Sequence, residues 1–280
     1  MNGISNFDYL KMEGDIKDKS SVCLCGHSNI GRILTIEKGN GEFKVIECKN
    51  CGLKRTLNRV TPHVFYRPDK IDNPEESINK CMEWGGSIFS EIYKFKKEGR
   101  LLDIGCSIGG FVKLANTRGF KGEGIDLNKY AIEVGKNLGL NLHHGDFKDM
   151  DFEKESFDVV TLNHCFAYID NPNNLIKRIY SILKKGGILG ISDSNCSGLL
   201  PRIIKGRWYG WHEENVWHFS TKTLISSLRS LDERFKIVKV KNSSMAHHSD
   251  NPILNFIKKW VFHTIELIGQ GDKTIVLLQK

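Results

Sequence analysis

Leu101-Leu102-Asp103-Ile104-Gly105-Cys106-Ser107-Ile108-Gly109-Gly110 is the stretch from which the fold follows. A short run of buried-strand character enters a glycine turn, and Phe111 to Arg118 then reads as a helix closed by Gly119. Such a strand–turn–helix presents free backbone N–H groups at the carboxyl edge of a parallel sheet, where doubly wound folds hold nucleotides. Lys121 to Leu127 reads as a second strand. Its Asp126 stands about 20 residues past the glycine turn, where an acid meets ribose hydroxyls. A dinucleotide loop needs glycine at 105, 107 and 110, and position 107 is Ser107. The middle glycine lets a pyrophosphate approach the backbone, so its loss argues against NAD and FAD.

From Arg100 onward, short apolar runs alternate with amphipathic segments, the pattern of βαβ units on a parallel sheet. A helix runs through Leu138, followed by strands at Leu140–His143 and Phe157–Leu162, a helix at Asn173–Leu183 and a strand at Ile188–Ser192 after Gly186-Gly187. Thr221–Leu231 is a helix, Phe235–Val240 a strand, and Thr274–Leu278 a last β run. The expected class is α/β, a Rossmann-like doubly wound sheet. Upstream, Pro68 and Pro74 punctuate the chain, and Ile78, Met82, Ile88, Ile92 and Phe95 recur at nearly helical spacing. The expected divisions are a cysteine-rich module over 1–65, a helical linker over 66–99 and a nucleotide-binding domain over 100–280.

With 280 residues, 40% hydrophobic and 26% charged, the chain has the composition of an ordinary globular protein, which excludes disordered and collagen-like classes. Its net charge of +8 favours anionic partners without specifying one. The stretch Met1 to Lys11 lacks the basic start and apolar run of an export signal, and no run suits a membrane span. Eight cysteines in such a chain point to reduced thiols or metal ligands and to the cytoplasm.

LLDIGCSIGG resembles the first motif of class I methyltransferases, which use S-adenosylmethionine. EGIDLN around Asp126, HHGDFKD with Gly145-Asp146-Phe147, FDVVTLNHCFAYIDNP and LKKGGILGIS are similar to the later motifs, in order and spacing, over roughly residues 75 to 280. The resemblance implies a sheet of about seven strands with the last one antiparallel. It assigns Asp103 and Gly105 to the methionine end, Asp126 to the ribose and Asp146 to the adenine amino group. Phe147 would lie beside the base and Asn163 would face the methyl donor, with Ser107, Gly109 and Leu127 completing the cofactor set. Taken singly, Asp103 reads equally as a cap of the turn, and Asp146 as a solvated loop acid.

Cys23-Leu24-Cys25-Gly26 and Cys48-Lys49-Asn50-Cys51-Gly52 are two thiol pairs, each followed by glycine, flanking a β-like stretch from Gly41 to Glu47. Four thiolates suit a tetrahedral structural zinc. The C-x-C spacing of the first pair fits one ion less comfortably, and His27 is an alternative ligand. The pattern is similar to the zinc-ribbon-like module that precedes a subgroup of these enzymes, some sugar C-methyltransferases among them. A degenerate module without metal is the other reading.

The methyl-acceptor side falls at the ends of the fourth and fifth strands and in Arg207-Trp208-Tyr209-Gly210-Trp211-His212-Glu213-Glu214-Asn215-Val216-Trp217-His218-Phe219. Three of five tryptophans lie there, as an aromatic wall for a sugar or planar base or as anchors of the loop. His164, His212 and His218 are the candidate catalytic bases, each with a structural reading beside it. His218-Phe219-Ser220 matches a stretch of related enzymes, whereas Ala167-Tyr168 stands where many relatives carry Glu-His. The expected acceptor is a small or sugar-containing molecule. RNA is the rival, although Asn163-His164-Cys165-Phe166 lacks the two prolines of amino-group methylases, and Cys165 and Cys196 lack the neighbours of a nucleophile. A binding protein that keeps the fold without catalysis is the third reading. Residues 253–268 form an apolar helix that covers the acceptor, packs on a second subunit or meets a membrane surface.

Overall fold

The computed structural model describes residues 22–38, 41–57, 59, 71, 73–244 and 252–280. Pro68 and the segment Met1 to Lys11 lie outside them. The first described elements are the antiparallel strands β1 (Ile30–Lys38), β2 (Gly41–Cys48) and β3 (Lys54–Leu57). Helix α1 (Pro74–Phe95) follows. Proline at its first turn, the Asn73 side chain accepting from Glu76 N, and the acids Glu75 and Glu76 near its positive end together start it there.

The remainder builds one large sheet. Its elements are β4 (Gly99–Ile104), α2 (Gly110–Asn116), β5 (Phe120–Asp126), α3 (Lys129–Asn137), β6 (Leu142–His144), β7 (Phe157–Asn163), α4 (Pro172–Ile182) and β8 (Leu183–Ser194). After them come α5 (Leu199–Ile204), β9 (Trp217–His218), α6 (Thr221–Leu231), β10 (Lys236–Ser243), α7 (Pro252–Leu267) and β11 (Lys273–Gln279). The order across the seven-stranded sheet is β10-β11-β8-β7-β4-β5-β6. β4 pairs in parallel with β5 and β7, β7 with β8, and β5 with β6, while β11 runs antiparallel between β8 and β10. The expected seven-stranded architecture with a reversed last strand is therefore present.

Helices cover both sheet faces, which is why adjacent strand residues are apolar rather than alternating with polar ones. Leu101, Val159, Ile188, Ile275 and Leu277 meet Ile88, Phe89 and Ile92 of α1 and Phe111 of α2 on one face. Leu102, Val160, Leu189 and Val276, one residue along, meet Ile176 and Ile179 of α4 and Leu224 and Leu228 of α6 on the other. β8 begins earlier than its apolar run suggests: Leu183 already pairs with Phe157, and a bulge separates that pair from Val159–Ile188.

β1, β3, α5 and β9 are elements that the sequence pattern does not announce. β9 has only two residues, and it adds to the N-terminal sheet, giving the order β1-β2-β3-β9. Arg55 pairs with Trp217 and Lys54 with His218. A loop of the large-sheet region thus completes the small sheet. Among the described residues no helix is long and apolar enough to cross a membrane.

α1 crosses α2 where Gly110 has no side chain. A Cβ there would press into the Cys81 side chain and lie 3.0 Å from the Ile78 carbonyl oxygen. Gly110→Ala is expected to cost about 1–3 kcal/mol of unfolding free energy by denaturant titration, since backbone atoms must give way.

Candidate functional site

The glycine turn closes on its neighbours through the backbone. Gly105 and Cys106 both donate to the Ile125 carbonyl of β5, at 2.8 and 3.1 Å. Gly105 has φ +77°, and a Cβ on it would meet Cys165 Sγ at 2.5 Å, so the turns after β4 and β7 touch across a glycine that no other residue replaces freely. Gly109, φ +85°, caps α2 with left-handed backbone against Leu140 and Leu142. Ser107 is exposed at the tip and holds φ 50° without being glycine. Its amide donates to Asp126 Oδ2 at 2.8 Å, while Asn128 N donates to Oδ1 at 2.8 Å. Asp126 is partly accessible, and burial raises its pKa above the ordinary carboxylate value against the pull of these two amides. Its carboxylate is therefore locked to the turn, not swung away from it.

Asp103 lies beneath the turn and is 2% exposed. Burial pushes its pKa up to about 7, the Thr161 hydroxyl donating to Oδ1 at 2.6 Å works against that rise, and the charge of Asp126 adds to it. Desolvation outweighs the hydrogen bond because one neutral donor replaces a full hydration shell.

Beside Asp126, the ends of β5 and β6 come together through Gly145 N to Asp126 O at 3.0 Å and His144 Nε2 to Leu127 O at 3.2 Å. This brings Leu127, Gly145 and Asp146 to the same corner. Asp146 accepts from Lys148 N at 3.0 Å and pairs with Lys148 Nζ at 3.0 Å, so it starts a short 3-10 turn. Phe147 points inward: it is 5% exposed, stacks on Phe152 with ring centroids 5.8 Å apart and lies under the Arg178 guanidinium. Leu127 is 52% exposed, and it is the apolar side chain that this corner offers to solvent.

Across the glycine turn, Asn163 Oδ1 accepts from Ser192 Oγ at 2.6 Å, tying the ends of β7 and β8 together. The next residue, His164, adopts φ 53°, a left-handed conformation that costs a non-glycine residue energy and is held by His164 N to Ser192 O at 2.8 Å. Desolvation of its ring, with the nearby positive charges of Lys273 and His212, pushes its pKa down to about 3, so it stays neutral at ordinary pH. Asp193 supports the turn, accepting from Ala167 N at 2.8 Å and Ser194 N at 2.9 Å, and burial raises it to about 6. The thiols of Cys165 and Cys196 are both raised by burial, the state of an unreactive cysteine.

The tryptophan-rich segment faces the protein. Trp208 and Trp211 pack edge to face, centroids 5.5 Å apart, against Ile36 and Val45 of the small sheet. Trp217 Nε1 donates to the Ile169 carbonyl at 2.9 Å. His218 is 4% exposed, bonded through Nε2 to Thr56 Oγ1 at 2.9 Å and stacked on Phe43. His212 remains half-open, with Nδ1 4.0 Å from Glu214 Oε2. Of the three candidate histidines, the fold places His164 and His212 near one another and His218 in a seam between β3 and β9.

Lys273, absent from the sequence expectations, belongs to this neighbourhood. β11 is antiparallel, so its first residue lies at the carboxyl edge of the parallel strands, opposite Ser194. Its side chain is buried and donates to the Ser87 hydroxyl and the Trp84 carbonyl of α1. Burial lowers it to about 8, with Asp272 and Glu266 opposing the fall and Lys241 adding to it. A lysine heading an otherwise apolar run is a weak sequence signal.

The four N-terminal cysteines converge. Cys23 Sγ and Cys51 Sγ are 3.5 Å apart, Cys25 Sγ and Cys48 Sγ 3.7 Å, and all four sulfurs lie within 4.8 Å of one another. A tetrahedral ion with Zn–S bonds of about 2.3 Å needs sulfurs roughly 3.8 Å apart. Gly26 (φ +81°) and Gly52 (φ +77°) turn each knuckle back, with Gly26 N bonded to Cys23 O and Gly52 N to Cys48 O. His27 does not join the cluster; its Nδ1 is 3.0 Å from the Cys25 carbonyl.

A family model described as a methyltransferase domain matches residues 82–236. The chain is 31% identical over 129 residues to an uncharacterized protein of Methanocaldococcus jannaschii, covering 44% of this chain and 61% of that one. It is 25% identical over 149 residues to a demethylmenaquinone methyltransferase of Staphylococcus epidermidis, covering 50% and 61%. The chain thus spans about three fifths of the length of these curated relatives. A solved S-adenosylmethionine-dependent methyltransferase from Archaeoglobus fulgidus superposes with a TM-score of 0.53 at 20% identity, over 78% of this chain and 100% of that one. With the strand order, the glycine turn and the family match over more than half its length, the chain belongs to the methyltransferase-domain family and has the class I S-adenosylmethionine-dependent methyltransferase fold.

Proposed function

We propose that this chain transfers a methyl group from S-adenosylmethionine to a small or sugar-containing acceptor. The observation that carries the reading is the Asp126 carboxylate, fixed by two amides at the mouth of a glycine turn that has a serine where a pyrophosphate would need glycine. Asp126, partly accessible, keeps lone pairs for ribose hydroxyls. Leu127 offers the apolar face for an adenine ring. Asp146 is left to accept from its amino group, and Phe147 supports that corner from below. Asp103 fits a cationic ligand end, because a positive charge near a buried carboxylate offsets its desolvation. Gly105 and Gly109 leave backbone room beside it.

When bound, S-adenosylmethionine supplies a methyl group already activated on a positively charged sulfur. The protein has then to orient the acceptor and, where its nucleophile carries a proton, remove it. Asn163, held by Ser192, lines the donor side. Neutral His164 serves as a hydrogen-bonding group for the acceptor. Lys273, with its pKa near 8, is better matched to proton transfer at ordinary pH, and His212 stands 4.0 Å from Glu214. His218 acts as a positioning residue for the loop that carries His212. Buried, raised thiols speak against a cysteine nucleophile and so against carbon-5 cytosine methylation.

The four cysteines are proposed to hold one structural zinc ion, the positive charge stabilising thiolates where burial otherwise raises Cys51 to about 11. Its role is to hold β3 in place to receive β9.

Calorimetry tests the main reading. S-adenosylmethionine and its demethylated product should both bind, and Asp126→Ala should weaken binding by about 1.5–3 kcal/mol, the loss of charge-assisted hydrogen bonds. Equal affinity of the variant and the parent would remove the assignment.

The buried acid adds a pH signature. Asp103 has a folded pKa near 7 against an ordinary 3.8, so its contribution to stability is fully present below about 4 and is lost as pH rises through 7. Without ligand, the parent should lose up to roughly 4 kcal/mol more than Asp103→Asn between pH 4 and 8. Denaturant titrations that run in parallel for the two proteins would refute the raised pKa.

Metal analysis of the full chain should find about one zinc per molecule. Chelation should open the 205–219 segment to protease, as Cys51→Ser should. Unchanged cleavage after metal loss would sever the proposed link between zinc and β9.

A further inference from the structure

α5 is joined to the turn that follows α7. The first residue of α5 donates its amide to Gln270 O at 2.9 Å, and Arg202 reaches the Gln270 side chain. Gln270 lies three residues past the end of α7 and three before Lys273. Around this junction large apolar side chains face solvent: Ile203 is 63% exposed, Leu267 73% and Ile268 59%, and Ile204 is exposed too. In the described part of α7, Ile265 is the buried apolar residue. Scattered exposed aliphatics are ordinary, but a cluster on two adjoining elements marks a contact surface.

The charge around the cluster names the partner. Residues 199–211 carry Arg202, Lys205 and Arg207, all exposed, and no acid. In the described part of α7 the one acid, Glu266, turns toward β10 and accepts from the Ser244 amide. Apolar side chains that protrude beside Arg202, Lys205 and Arg207 suit the interface of an anionic bilayer, where aliphatics enter the acyl boundary and lysine and arginine meet headgroups. A bare protein-docking face would not require so one-sided a charge. The protrusion is also rigidly based, because Trp208 and Trp211 bury the following segment against the small sheet.

We infer that the α5–α7 corner docks this protein on an anionic lipid bilayer, with the acceptor edge turned toward the membrane. Docked this way, the carboxyl edge of the parallel strands lies beside the lipid phase, so an amphiphilic acceptor reaches the proposed site without crossing water. The inference rests on the proposed function only for that consequence; the docking stands or falls independently.

Flotation of the full chain with vesicles decides it. With phosphatidylglycerol–phosphatidylethanolamine vesicles at low salt, the parent should rise with the lipid, and with phosphatidylcholine alone it should stay at the bottom. Ile203→Asp/Ile204→Asp and Leu267→Asp/Ile268→Asp should each cut the bound fraction about tenfold. Both double variants should keep the parent's melting temperature and S-adenosylmethionine affinity, which separates a failure of docking from a failure of the methyltransferase reading. The inference is overturned if the parent ignores anionic vesicles, or if the double variants float as well as it does. It is equally overturned if the parent is a dimer in solution that Leu267→Asp/Ile268→Asp dissociates without any vesicle binding by the parent.

Discussion

Two amides, those of Gly105 and Cys106, converge on the Ile125 carbonyl, while Cys165 closes over the same glycine from the β7 side. This contact joins the ends of three central strands, and it exists because position 105 has no side chain and tolerates φ +77°. The geometry at the ends of β4 and β5 is referred to it. Ser107 is held in left-handed backbone at the next step, its amide fixes Asp126, and Asn128 fixes the other oxygen. Ser107 and His164 both hold positive φ without being glycine, and the amide of each is secured by a hydrogen bond.

Beneath this edge the protein keeps titratable groups out of water without opposite charges directly against them. Asp103 and Asp193 are raised by burial, and Lys273 and His164 are lowered by it. The hydrogen bonds they receive or give are to hydroxyls, amides and carbonyls, which reduce the desolvation cost but do not cancel it. If the proposed cofactor site is built here, a ligand carrying complementary charge would offset this desolvation and stabilise the fold.

The small N-terminal sheet is tied into the same edge through β9. Thr56 N bonds to Val216 O at 3.1 Å, Arg59 Nε to Glu214 O at 2.7 Å and Arg59 Nη1 to Asp170 at 3.0 Å. With the Thr56–His218 bond, these contacts hold the segment carrying His212. The cysteine cluster lies just before β3, beside the residues Lys54 and Arg55 that pair with β9. Whatever orders the knuckles therefore bears on the 212–218 segment through backbone pairing, not through a distant relay.

The sequence alone determined the sheet, its strand types and the residues of the glycine turn. Local patterns carry these features: paired apolar residues buried on two faces, glycines that permit positive φ, and an acid at the end of the second strand. It also indicated the four cysteines as a set, since thiol pairs followed by glycine are a local signal. Only tertiary structure decided the rest. Phe147, Trp208, Trp211 and His218 carry the same chemistry whether they line a site or fill a seam, and burial turned them inward. Two residues cannot announce a strand, so β9 appears only once β3 is there to pair with it. The reversed last strand is expected only through the family resemblance, and it is the pairing of β11 between β8 and β10 that brings Lys273 opposite Ser194, at the carboxyl edge of the parallel strands.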